Sequence, residues 1–225
     1  MTMLKQFGLG FLFSILIITV FKMMQGIDFA QYIEGIIWGI YAVTFLLWIA
    51  GIVIRTKIIS LNNLQVAGEQ EDEVDAHKYR KFSDMSLSLQ ISSTLAIVGM
   101  SMSLMLASAI YLVFVGVVMT FASYILGIWM MNIVQKMYPE RNLPKITEEN
   151  YAEQLLAKSD EGEKHIMLQG LYKSYNLVNI LLVLGMIATA IYSMVTEESQ
   201  LFAIILMGII LIAVNSRYML AVRNK

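Results

Sequence analysis

The chain contains no cysteine, which removes disulfides, thiol nucleophiles and thiolate metal sites together. It has only two prolines, at 139 and 144, so long stretches are free of the residue that most readily breaks a helix. Histidine is equally scarce. His77 and His165 each lack a second histidine at the four-residue spacing of a zinc-binding helix, so both read as solvated helix faces. No metal and no other cofactor is expected. A glycine-rich phosphate loop is also missing, so any ATP dependence has to come from a separate subunit. The formal net charge is −1, from 16 Lys and Arg against 17 Asp and Glu, which gives a nucleic acid nothing to hold. Most telling is the lack of any charged residue between Asp84 and Lys136.

What the chain has in excess is apolar surface. Of its 225 residues 58% are hydrophobic and 15% charged, a balance that cannot cover a water-facing domain. Six apolar windows, residues 7–24, 33–54, 86–106, 110–131, 174–194 and 201–219, match the roughly 20-residue helices that cross about 30 Å of hydrocarbon. The charge-free stretch is too long for one crossing and fits two, turning near residues 107–109. Lys5 and the apolar run behind it resemble a signal peptide, but no small-x-small site follows, so residues 7–24 are expected to persist as the first span. The predicted fold is all-α: one transmembrane domain over residues 1–225, six helices in three hairpins, with juxtamembrane helical segments at 55–85 and 132–173.

Lys and Arg near span ends are retained on the cytoplasmic side. With both termini cytoplasmic, every Lys and Arg except Lys22 falls inside, and the reverse orientation inverts that bias. The predicted location is therefore the plasma membrane. The outer connections are then short, and no folded external domain fits in them.

Both juxtamembrane segments read as helices. Acidic Glu69, Glu71, Asp72, Glu73 and Asp75 precede basic Lys78, Arg80 and Lys81, with the basic end nearest the membrane. After the two prolines, Thr147 is placed to cap a short helix, and Ser159 to cap the next, with Asp160 and Glu161 in its first turn where the helix dipole favours anions. That helix is free to run into the fifth span. Acids, then basic and aromatic residues, then a spanning hairpin form a faint repeat of 71–82 in 160–175.

Within the spans no ionisable group sits deep, which argues against a proton relay, a voltage sensor and an intramembrane hydrolase; the protein is read as a non-enzyme. Small residues recur at close-packing spacing: Gly35 with Gly39, and Gly116, Thr120, Ser123 and Gly127 as a stripe on the fourth span. Ser86, Gln90, Ser93, Ser101 and Ser108 form a more polar stripe on the third. Helix packing explains all of these; the alternative is that the polar stripe lines a substrate path or holds a lipid-like or peptide ligand.

Residues 159–182, SDEGEKHIMLQGLYKSYNLVNILL, follow the form Asp-Glu-x-Glu-x-x-Ile, then an aromatic and basic turn, then a span. Through Asp160, Glu161, Glu163, Ile166, Tyr172, Lys173 and Tyr175 the chain resembles the domain-of-unknown-function 3169 family of small polytopic membrane proteins from Gram-positive bacteria. The resemblance implies a location and a lineage rather than a mechanism. Asp160, Glu161, Glu163, Lys164, Tyr172, Lys173 and Tyr175 are the candidate partner-binding set. The expected role is an accessory or immunity-type component beside an ABC exporter in antimicrobial-peptide resistance, in contact with membrane lipid and open to homo-oligomerisation. The alternative is the permease subunit of a transporter whose ATPase is another chain.

Overall fold

A computed structural model of the chain describes Thr19 and residues 30–64, 69–106 and 109–223. The first predicted span apart from Thr19, together with Lys22, Asp28 and positions 107–108 of the predicted turn, lies outside the described residues. In chain order the elements are α1 (Ala30–Asn62), α2 (Glu69–Ser103), α3 (Ile110–Met131), α4 (Val134–Met137), a 3-10 turn (Pro139–Arg141), α5 (Tyr151–Lys158), α6 (Glu161–Thr196) and α7 (Leu201–Arg223). No strand occurs among the described residues. Among the described residues five helices, α1, α2, α3, α6 and α7, are long and apolar enough to cross a membrane. They carry the second to sixth predicted spans.

Helix α3 keeps the predicted bounds; α1, α6 and α7 overrun theirs, and α2 starts well before its predicted span but stops at Ser103, short of the predicted end at residue 106. Neither charged flank holds a proline, so α2 begins at Glu69 and α6 at Glu161, and each runs unbroken into its span. At 35 and 36 residues these helices are about 50 Å long, well beyond the hydrocarbon thickness. The layout seen as a faint repeat thus takes the same form twice, a long helix with a charged start followed by a shorter antiparallel one.

The chain divides into two units, Asp28–Ser159 and the remainder. In the first, α2 packs antiparallel to both α1 and α3, and α1 runs parallel to α3, along seams that alternate four- and three-residue steps. Helix α1 contributes Ile37, Tyr41, Thr44, Trp48, Gly51, Arg55 and Ile58; α2 contributes Met85, Leu89, Ser92, Ala96, Gly99 and Ser103; α3 contributes Leu112, Gly116, Met119, Ser123, Leu126 and Met130. This is the heptad spacing of left-handed bundles crossing at about 20°. Lipid is as apolar as a leucine side chain, so close approach and hydrogen bonds rather than hydrophobicity hold such helices together. Large residues meet small ones accordingly. Tyr41 lies where a Cβ on Gly99 or Gly116 would stand, and Met130 Sδ is 3.1 Å from the Cβ position of Gly51. The Tyr41 hydroxyl reaches Ser103 Oγ at 3.0 Å and donates to the Leu112 carbonyl at 3.1 Å; Trp48 Nε1 donates to Ser123 Oγ at 3.0 Å; Ser88 Oγ donates to the Leu47 carbonyl at 2.9 Å. Apolar clusters close the two ends, one around Ile37 and Leu112 and one around Ile58, Met85, Met130 and Met137.

Beyond α3 the chain folds back in short pieces. Asn142 and Asn150 both take left-handed backbone, with φ of 45° and 58°, a conformation asparagine tolerates better than most residues. Thr147 does not cap α5; Asn150 occupies the N-cap without a side-chain bond. Ser159 likewise closes α5, its hydroxyl donating to the Leu155 carbonyl, and the cap of α6 falls one residue later, on Asp160.

In the second unit α6 and α7 form an antiparallel pair with no fully buried residue. A polar cluster links them: the Tyr175 hydroxyl donates to Asn215 Oδ1, Asn215 Nδ2 donates to Asn179 Oδ1 at 2.7 Å, and the Tyr175 and Tyr218 rings stack at 4.9 Å. Further along, Met207 Sδ lies 3.1 Å from the Cβ position of Gly185.

Candidate functional site

A groove of about 470 Å³ opens between α2 and α3, a size ordinary for a small-ligand site. Ser86, Gln90, Ser93 and Thr94 line it from α2, Ser123, Tyr124 and Gly127 from α3, and Ile146 reaches it from the segment beyond the 3-10 turn. The α2 side follows from helical spacing, since 86, 90, 93 and 94 share one face. A Cβ on Gly127 would meet open space, so the backbone of α3 is accessible there.

Some of the lining polarity is already satisfied. Ser86 Oγ donates to the Phe82 carbonyl at 2.8 Å and contacts Met131 Sδ at 3.3 Å, and Thr94 Oγ1 donates to the Gln90 carbonyl at 2.9 Å. Ser123 is held by Trp48. The Gln90 amide and the hydroxyls of Ser93 and Tyr124 have no hydrogen-bond partner among the described residues. Gln90 and Tyr124 are also exposed. A primary amide offers two donors and an acceptor, and facing it into hydrocarbon unpaired is costly.

The predicted small-residue stripe divides between two settings. Gly116 sits at a close approach of α2 and α3, a Cβ there falling 2.8 Å from Met100 Cα, while Ser123 is buried against Trp48. Thr120 bonds the Gly116 carbonyl of its own helix, and Gly127 faces the groove. Around Gly35 and Gly39 no described atom lies within 4 Å of a Cβ. Of the polar stripe, Ser86, Gln90 and Ser93 reach the groove, Ser101 bonds the Ile97 carbonyl, and Ser108 lies outside the described residues.

The candidate partner-binding residues are spread along α6. Asp160 Oδ1 accepts from Glu163 N at 2.7 Å while Glu163 Oε2 accepts from Asp160 N at 3.1 Å, a reciprocal capping box. Glu161 pairs with Lys164 at 3.0 Å. Tyr172 and Lys173 are exposed, and Tyr175 turns to α7. His165 Nε2 lies 2.9 Å from Gln169 Nε2, and no cluster of three metal-binding side chains occurs among the described residues.

Tyr41, Trp48 and Asn215 escape the sequence reading although each forms an interhelical bond. The four-and-three spacing through Tyr41 and Trp48 was a usable signal, as was a lone asparagine inside the sixth span. At the charged end of the first unit, Arg55 stacks on Trp129, its Cζ 3.8 Å from the ring centroid, and Asn62 Nδ2 donates to the Lys136 carbonyl at 2.9 Å. Lys78 pairs with Asp75 at 2.5 Å, and Lys81 with Asp84 at 3.9 Å.

No curated protein and no solved structure matches the chain. One family does, described as "Protein of unknown function (DUF3169)", and its match runs over residues 3–222. With nearly the whole length covered, and with five apolar helices of membrane-spanning length among the described residues, the protein belongs to the DUF3169 family.

Proposed function

We propose that this is a non-enzymatic plasma-membrane protein with both termini cytoplasmic, an accessory or immunity-type component that works beside an ABC exporter against membrane-active peptides, with the groove between α2 and α3 as the seat of an amphipathic peptide. The observation that carries the reading is the Gln90 amide, which like the neighbouring hydroxyls of Ser93 and Tyr124 has no hydrogen-bond partner among the described residues. A peptide group matches the donors and acceptor of that amide, whereas an acyl chain matches neither. Gly127 leaves room for backbone to approach. Orientation is supported by the Lys and Arg distribution. Partner contact is supported by α6, whose 36-residue length carries charged turns well past the span.

The test is binding of a fluorescent cationic amphipathic peptide to the full chain in lipid nanodiscs. Gly127→Leu fills the groove and is expected to weaken binding about tenfold, while Val118→Leu on the exposed face of α3 leaves it unchanged. Equal binding by both variants removes the groove from consideration. A stoichiometric ATPase recovered with the protein in mild detergent would favour the permease alternative over the accessory role.

A further inference from the structure

Arg55 occupies a core position of the α1 seam, between Gly51 and Ile58, yet it is a permanent cation. Its Nε is buried and has no hydrogen-bond partner among the described residues. Among the described residues no carboxylate pairs with it; at the same end of the unit, Asp75 and Asp84 are taken by Lys78 and Lys81. What the guanidinium does have is the face of Trp129. Stacking orients the planar fork but leaves the buried Nε–H without an acceptor among the described residues, and a buried donor left unpaired is costly.

We infer that Arg55 and Trp129 form the headgroup site of an anionic phospholipid. A phosphate supplies the missing negative charge and accepts two parallel bonds from the fork. Basic pockets between spanning helices are where acidic lipid headgroups are held. A lipid fits better than an acidic protein segment because an apolar track leads away from the guanidinium. Phe121, Ile125 and Trp129, each one helical turn from the next on α3, are 66%, 64% and 47% exposed, a surface on which an acyl chain can lie. The inference rests on the membrane placement of α1 and α3 and is independent of the groove.

The full chain in phosphatidylcholine, with and without phosphatidylglycerol, is examined by native mass spectrometry for retained lipid and by thermal unfolding. The wild type is expected to retain phosphatidylglycerol and to melt higher in its presence. Arg55→Gln should weaken retention about tenfold, and Arg55→Lys, which keeps the charge but not the fork, about threefold. Lys57→Gln, two residues along and exposed, should retain the lipid as the wild type does. Should Arg55→Gln fail to fold, the Arg55→Lys and Lys57→Gln pair still decides. Wild-type retention by either Arg55 variant, or equal loss in Lys57→Gln, overturns the site. The same thermal shift from inorganic phosphate in pure phosphatidylcholine would also overturn the lipid assignment.

Discussion

Tyr41 shows how single residues hold a bundle that hydrophobicity cannot hold. Its ring fills the space left by Gly99 and Gly116, and its hydroxyl ties α2 to α3 through Ser103 and the Leu112 carbonyl. Interhelical bonds of this kind contribute only about 0.6 kcal/mol each on average, so the close fit matters at least as much. Gly116→Leu must displace both Tyr41 and the Met100 backbone, and Ser123→Leu both crowds Trp48 and orphans its indole N–H. Each is expected to cost about 1–3 kcal/mol. Val118→Leu, on a residue 65% exposed, should cost almost nothing. Thermal unfolding in detergent measures the difference, and three equal midpoints would contradict the packing described. The stripe of small residues was legible in the sequence; its partner was not, because the aromatic that fills it comes from a helix some 60 to 75 residues earlier.

At the scale of the element, α6 asks whether its acidic start serves folding or recognition. The capping box between Asp160 and Glu163 and the Glu161 pair with Lys164 supply a folding role, since these acids satisfy the first amides and face the positive end of the dipole. Asp160→Ala is expected to loosen the first turn by about 1 kcal/mol, read as roughly fivefold faster amide exchange over residues 161–166. Asp160→Asn keeps a good cap and should exchange nearly as the wild type does. The triple variant Asp160→Asn, Glu161→Gln, Glu163→Gln keeps the cap geometry while removing the charge. Loss of a co-purifying partner in that variant, with α6 still protected, is the expected result; undiminished capture would reduce the acids to caps.

On the scale of the whole molecule, the distribution of Lys and Arg predicts that the α6–α7 connection faces outward while the α1–α2 connection and α5 face inward. The natural lack of cysteine allows this to be read with single substitutions. An impermeant thiol reagent applied to intact cells should label Ser199→Cys and leave Asn63→Cys and Glu153→Cys untouched, all three positions being exposed. Labelling of the latter two with Ser199→Cys silent would invert the topology.

Helix by helix, apolar windows located every described span, because the need to satisfy backbone hydrogen bonds in hydrocarbon leaves no alternative to a helix of that length. The bounds of α3 followed directly, flanked as it is by turns on both sides. The run of α6 from its acidic first turn into its span was legible too; the start of α2 at Glu69 was not, since a charged stretch without proline continues a helix as readily as it ends one. Family membership, too, was visible in the acidic motif of residues 160–175. Which face of each helix is buried required the tertiary structure. In water an amphipathic pattern marks the inward side, but in a membrane the lipid-facing and helix-facing sides are almost equally apolar. Matching of volumes between distant residues decides instead: Tyr41 against Gly99 and Gly116, Met130 against Gly51, Trp48 against Ser123. The stacking of Arg55 on Trp129 and the groove around Gln90 belong to the same class, since each exists only where two helices meet in one register.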